Sequence, residues 1–147
     1  IHVLAEEYYD TILKDKVLDR GLKLLKQARK DGHRIVLLSE NISQVIDHLK
    51  DDFGPVDTLV CNHLEFRNRK ATGKLIAPVM GGHESGLWIK EYADENAIDL
   101  SQSVAYAAHG GDLLLLAAVG KPCATNPDFV LRRAAREVDW PVVEYCA

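Results

Sequence analysis

Residues 98–128 read IDLSQSVAYAAHGGDLLLLAAVGKPCATNPD, and this stretch decides the fold. Val104–Ala107 is a short apolar run closed by Gly110-Gly111. Runs of this length without polar alternation mark strands buried on both faces. Asp112 is a candidate cap for a helix over 113–119 that Gly120 stops. Pro122–Thr125 predicts a second short strand. Asn126-Pro127 then predicts a capped helix start with proline at its first position, running to about Val138. Buried strands joined by helices pair in parallel through right-handed crossovers.

The pattern continues upstream. Residues 5–31 read as a helix, with Val17, Leu18, Gly21, Leu22, Leu25 and Ala28 at helical spacing and Gly32 as the stop. Ile35–Leu38 predicts a buried strand. Asn41 is placed to cap the next helix, with Gln44 as its capping-box partner and Ile42, Val45, Ile46 and Leu49 as its apolar stripe. Thr58–Cys61 predicts another strand, and His63–Arg67 alternates. Asn68–Gly73 reads as a turn and Lys74–Ile76 as a returning arm. Gly81-Gly82 opens a loop before a helix over 85–96. A last strand is expected over Pro141–Tyr145. In open parallel sheets the ligand site lies beyond the carboxyl ends of the strands. Here those ends are Ser39–Asn41, Cys61–His63, Ala108–Gly111 and Thr125-Asn126.

The 147 residues suit one domain, and 47% apolar residues are enough to build its core. A net charge of −4 excludes recognition of nucleic acid or anionic membrane through bulk electrostatics. The longest apolar run, Leu113–Val119, is far too short to span a bilayer. Cys61, Cys123 and Cys146 are odd in number and form no CxxC pair, which fits reduced thiols and predicts a cytoplasmic location. The start at Ile1 suggests a single domain, residues 1–147, of a longer parent chain.

Four segments together resemble the haloacid dehalogenase superfamily, in its phosphoserine-phosphatase-like branch. They are GHRIVLLSEN (32–41), DTLVCNHLEF…TGKL (57–75), the 98–128 stretch and LRRAAREVDWPVV (131–143). The resemblance implies a Rossmann-like three-layer α/β/α fold with a mainly parallel sheet, here lacking the cap and the first strand. It also implies a mechanism. A first-motif Asp attacks phosphorus, a second-motif Ser or Thr and a third-motif Lys hold the phosphoryl group, and fourth-motif carboxylates help bind Mg²⁺. The transition state spreads negative charge over the phosphoryl oxygens and needs fixed donors and a cation.

On the residues themselves that machinery is thin. Ser39 matches the second motif, and with Glu40 and Asn41 it forms a candidate phosphate-binding turn at a helix start. Ser85 falls where the resemblance places the lysine, and the nearest cation, Lys90, is half a turn away; the loop Gly81–Ser85 is a second candidate phosphate cradle, with Ser85 a candidate phosphate-binding residue. Asp112 matches the later fourth-motif carboxylate and is the candidate metal ligand. Ala108 stands at the earlier one, with His109 beside it where serine is usual. The first motif, D-x-D-x-T, is absent. Glu7–Thr11 resembles it faintly but lies in a helical pattern.

Three other patterns stand in the sequence. His83, His109 and Asp112 offer imidazole and carboxylate to a metal, without tight ligand spacing. His109 alone is a conceivable general base. Cys61 to Arg67 has C-x5-R spacing, but no glycine allows the loop curvature that chemistry needs. The expectation is a non-catalytic structural or interaction module that retains phosphate binding and needs no cofactor. Its partners would be other domains of the parent or a second copy, and a small phosphorylated ligand. The alternative is a Mg²⁺-dependent phosphomonoesterase whose nucleophile lies upstream.

Overall fold

The computed structural model describes residues 1–145, so Cys146 lies outside it. The described residues divide into two compact units, 1–80 and 81–145. Three of the four strand pairings are parallel, and the α/β architecture is the one expected.

The first unit opens with α1 (His2–Tyr8), which passes through a wider π turn (Tyr9–Leu13) and a 3₁₀ turn (Lys14–Lys16). At Val17 and Leu18 the backbone is extended before α2 (Asp19–Lys30) begins. The single helix expected over 5–31 is therefore broken. The apolar period carries across the break because periodicity reports which face is buried, not whether the chain between is helical. The π turn coincides with an anchor: the Tyr9 hydroxyl donates to Asp52 Oδ2 at 2.8 Å while its ring stacks on His48. Glu7–Thr11 is helical, as its pattern predicted.

Next comes β1 (Val36–Ile42), then α3 (Ser43–Phe53) with Val45, Ile46 and Leu49 buried beneath it. Gly54, at a positive φ of 69°, ends α3. The Arg29 guanidinium closes over that end, donating to the carbonyls of Phe53 and Pro55. A single continuous strand, β2 (Thr58–Arg67), pairs in parallel with β1 and antiparallel with β3 (Lys70–Ile76). The hairpin turn is only Asn68-Arg69, both at positive φ, so Lys70–Gly73 belongs to the strand and not to the turn. Two consecutive left-handed residues match the twist of the flanking strands and shorten the connection.

The second unit runs α4 (His83–Glu95), β4 (Val104–Ala107), α5 (Leu113–Ala117), β5 (Lys121–Thr125), α6 (Phe129–Glu137) and β6 (Val142–Val143). The sheet order is β4-β5-β6, all parallel. Leu116, Ala124, Leu131 and Ala135 form a fully buried core, with Ala105, Ala107, Leu113 and Trp140 against it. The last strand is shorter than expected: only Val142 and Val143 pair. Among the described residues, within their own sheets, β1 pairs only with β2, and β4 only with β5.

Candidate functional site

In the first unit the candidate residues lie where β1 leaves its ladder. Leu38 pairs with Val60 and Ile42 with Asn62, so residues 39–41 stand against Cys61 alone and bulge out of register by two residues. Ser39 is half-buried, and Glu40 and Asn41 are exposed. The Asn41 N–H donates to Ser39 Oγ at 3.2 Å, which closes a small turn.

Asn41 does not cap α3. The cap position is Ile42, and no side chain accepts from the first-turn amides. Gln44 instead lies 3.4 Å from the Ser43 hydroxyl, so the expected capping box is absent. The helix starts one residue later than the sequence placed it, with Ile42 at the cap, and the Asn41 amide is engaged in the Ser39 turn.

The residue that shapes this turn is Asn62, which the sequence did not single out. It is 3% exposed. Its Nδ2 donates to the Glu40 carbonyl at 2.8 Å and the Met80 carbonyl at 3.0 Å. Its Oδ1 accepts from the Met80 N–H at 2.7 Å. The available signal was its place within Cys61–His63, at the carboxyl end of a predicted strand.

Cys61 and Arg67 are in β2, extended throughout, so no anion loop forms between them. Burial pushes the Cys61 thiol upward, with Asp47 adding to it and Lys50 opposing. That is the wrong direction for a nucleophile.

In the second unit Ser85 is 4% exposed on the inner face of α4. Next to it Gly86 meets α5 so closely that an added Cβ would lie 2.6 Å from Leu114 Cβ. Lys90 is exposed, about 140° around the helix from Ser85. His83 is exposed at the first turn.

Ala108, His109 and Asp112 share one loop after β4. The Asp128 N–H donates to the Ala108 carbonyl at 2.8 Å, and the Asp128 carboxylate accepts from Gly110 N–H at 3.0 Å. The other carboxylate oxygen caps α6 by accepting from Leu131 N–H at 2.8 Å. These two amides, Leu131 first, hold the Asp128 carboxyl below its ordinary range, and His109 at 3.8 Å adds to the effect.

Asp128 is thus the α6 cap. The expected Asn126-Pro127 start is displaced: Asn126 is left-handed at φ 44°, and its Oδ1 accepts from Tyr145 N–H at 2.7 Å. Proline stands before the cap and not at the first helical position. Asp112 is half-buried at the start of α5 and makes no side-chain cap bond there. Its amide donates instead to the His109 carbonyl at 3.0 Å, in a 3₁₀ turn over Gly110–Asp112 that tightens the helix entry.

Among the described residues no group of three His, Cys, Asp or Glu side chains is placed to hold a metal ion, so His83, His109 and Asp112 do not form one. The donor set does not suit Mg²⁺, which takes oxygen ligands. Position 108 offers a methyl group, Asp112 carries a carboxylate at the loop's end, and the Asp128 carboxylate beside the loop is engaged by Gly110 and Leu131 N–H. Among the described residues no helix is long and apolar enough to cross a membrane.

These features sit on a known scaffold. The profile of the haloacid dehalogenase-like hydrolases matches residues 1–117, and the chain belongs to that family. Within the family its likeness is to the phosphoserine-phosphatase branch. It is 26% identical over 142 residues to phosphoserine phosphatase SerB1 of Mycobacterium tuberculosis, covering 97% of this chain and 46% of that protein. It is 25% identical over 143 residues to the "inhibition of morphological differentiation protein" of Streptomyces azureus, covering 97% and 51%. The chain therefore spans about half the length of these curated relatives. A Bordetella pertussis protein of unknown function superposes with a TM-score of 0.80 at 22% identity, over 95% of this chain and 63% of its own. An apo phosphoserine phosphatase superposes at 0.69 and 18%, over 83% and 58%. At these identities the superpositions establish the fold.

Proposed function

We propose that this chain is a non-catalytic member of its family, a structural or interaction module that keeps an anion-binding turn at Ser39–Asn41. One observation carries the reading. The position that the family resemblance gives to a phosphoryl-binding lysine is Ser85, and its side chain is packed inward at 4% exposure. A neutral, enclosed hydroxyl cannot offset the charge of a phosphoryl group in transfer. Losing such a cation costs several kcal/mol, roughly 10²-fold or more in rate. Ala108, at a magnesium-binding position by the same resemblance, adds to the deficit, and His109 is turned toward Asp128.

The anion reading of Ser39, Glu40 and Asn41 is supported by the uncapped first turn of α3, whose amides remain available to an anion. The partners proposed with it are further domains of a longer protein or a second copy, in the cytoplasm.

The deciding experiment is hydrolysis of p-nitrophenyl phosphate with and without Mg²⁺. No Mg²⁺-dependent turnover is expected. Turnover that vanishes in Asp112→Ala would overturn the proposal.

A second reading is favoured by the open edges of β1 and β4 together with the half-length match to the relatives. In it, a strand carrying the nucleophilic Asp comes from sequence outside this chain, and the assembled protein is a Mg²⁺-dependent phosphomonoesterase. Adding that segment and regaining turnover is its test.

A further inference from the structure

The β2–β3 hairpin is chemically unlike the rest of the chain. Residues 63–76 carry four cations, Arg67, Arg69, Lys70 and Lys74, against one carboxylate, in a protein of net charge −4. The lone carboxylate, Glu65, is already engaged: it pairs with Arg67 at 3.2 Å and accepts from the Thr72 hydroxyl at 2.6 Å. Arg69, Lys70 and Lys74 make no ion pair among the described residues. All seven residues of β3 are exposed, and β3 is the terminal strand of its sheet.

The register sorts these side chains by face. Residues opposite each other in an antiparallel ladder share a face, and the faces alternate along each strand. Leu64 is opposite Leu75, and Phe66 opposite Ala71, so one face is apolar. Arg67 is opposite Lys70, and Lys74 follows on that side across a register shift between Leu64 and Phe66, with Ile76 opposite His63 at its end, so the other face is mainly cationic. Phe66 and Leu75 are 41% and 39% exposed, and Ile76 is 52% exposed.

We propose that the free edge of β3 is a docking site for an extended polypeptide strand whose side chains alternate between acidic and apolar. Such a strand extends the sheet by backbone pairing and sends its carboxylates to Lys70 and Lys74 and its apolar side chains beside Ala71 and Leu75. Only a partner lying edge-on meets both faces at once. A flat anionic bilayer meets one face at a time, and here charge and apolar surface are on opposite faces. A second copy is disfavoured: antiparallel pairing of two β3 strands about Thr72 sets Lys70 opposite Lys74 at both ends, and directly opposed like charges repel. Lysines on an edge strand also deter aggregation, but that role alone leaves the exposed Phe66, Leu75 and Ile76 without an account.

The test uses the chain as it is, with a fluorescein-labelled peptide of alternating glutamate and valine, matched to the seven residues of β3. Binding is followed by fluorescence anisotropy, with hydrogen exchange on the complex. Expected results are saturable binding that weakens with salt, slowed exchange of β3 amides, and about tenfold weaker binding in Lys70→Glu/Lys74→Glu. A peptide of the same composition with its glutamates and valines in separate blocks should bind much more weakly. Both substitutions are on exposed positions, and a urea titration checks that the fold is kept. Absence of binding, equal binding of the two peptides, or unchanged β3 exchange would overturn the proposal. So would association with phosphatidylserine vesicles in place of the alternating peptide, which would assign the patch to lipid.

Discussion

Asn62 holds Met80 by both ends of its amide: Oδ1 accepts from the Met80 N–H at 2.7 Å, and Nδ2 donates to the Met80 carbonyl at 3.0 Å. The same Nδ2 reaches back to Glu40 at 2.8 Å. One buried side chain thereby ties the bulged end of β1 to the end of the first unit's chain.

Replacing Asn62 by Leu should destabilise the protein by about 2 kcal/mol or more, since each buried polar group left unpaired costs roughly 1–3 kcal/mol. Urea unfolding measures this. A loss below the level of an ordinary surface substitution would show that water or rearrangement replaces the amide.

If the Ser39–Asn41 turn binds an anion, inorganic phosphate should raise the melting temperature, because binding to the native state alone stabilises it. Ser39→Ala should reduce the shift. A shift that the substitution leaves unchanged places the anion elsewhere.

Asp128 sets an acid limit on stability. Its native carboxyl titrates below the ordinary range because Leu131 and Gly110 donate to it. The unfolded chain therefore takes up the proton first as pH falls. The stabilisation is complete above the unfolded value, about 3.9, and is lost as pH drops through the lower native one. Asp128→Asn keeps one acceptor for the cap but turns an NH₂ group toward the second amide, so it should lose the charge-linked stabilisation at neutral pH. Its stability should then fall less steeply than the wild type below about pH 4. Denaturant midpoints across pH give both curves, and parallel curves would remove Asp128 from the acid response.

Gly120 and Gly110, like Gly86, are required by close approach. A Cβ at Gly120 would lie 1.7 Å from the Ser101 carbonyl oxygen, and at Gly110 it would lie 2.5 Å from Val130 Cγ1. Gly120→Ala meets backbone and should cost more than about 2 kcal/mol. Gly110→Ala meets a side chain, so Val130→Ala should rescue it in part. A double-mutant cycle by thermal unfolding shows whether the two sites couple.

Much of the second unit was legible in the primary structure. Val104–Ala107 and the Gly120 stop emerge close to where their pattern placed them, because a short apolar run and a glycine act over a few residues. Helix starts were less legible. Asn41, Asn126 and Asp112 each looked like a cap, and none caps a helix with its side chain. The cap that does form, Asp128, was hidden behind a proline that drew the start two residues too early. The hairpin turn was overestimated because Gly73 looked like the turn glycine, whereas Asn68 and Arg69 take the positive φ angles.

By itself the sequence determined the class of fold, the alternation of strands and helices, and the residue types available for chemistry, since these follow from local composition and period. Only the tertiary structure decided that residues 39–41 leave their ladder, that Asn62 anchors them, that Ser85 faces inward and that β3 ends its sheet with cations on one side. Those outcomes depend on register and on partners distant in the chain, and no local pattern encodes which distant group a side chain will meet.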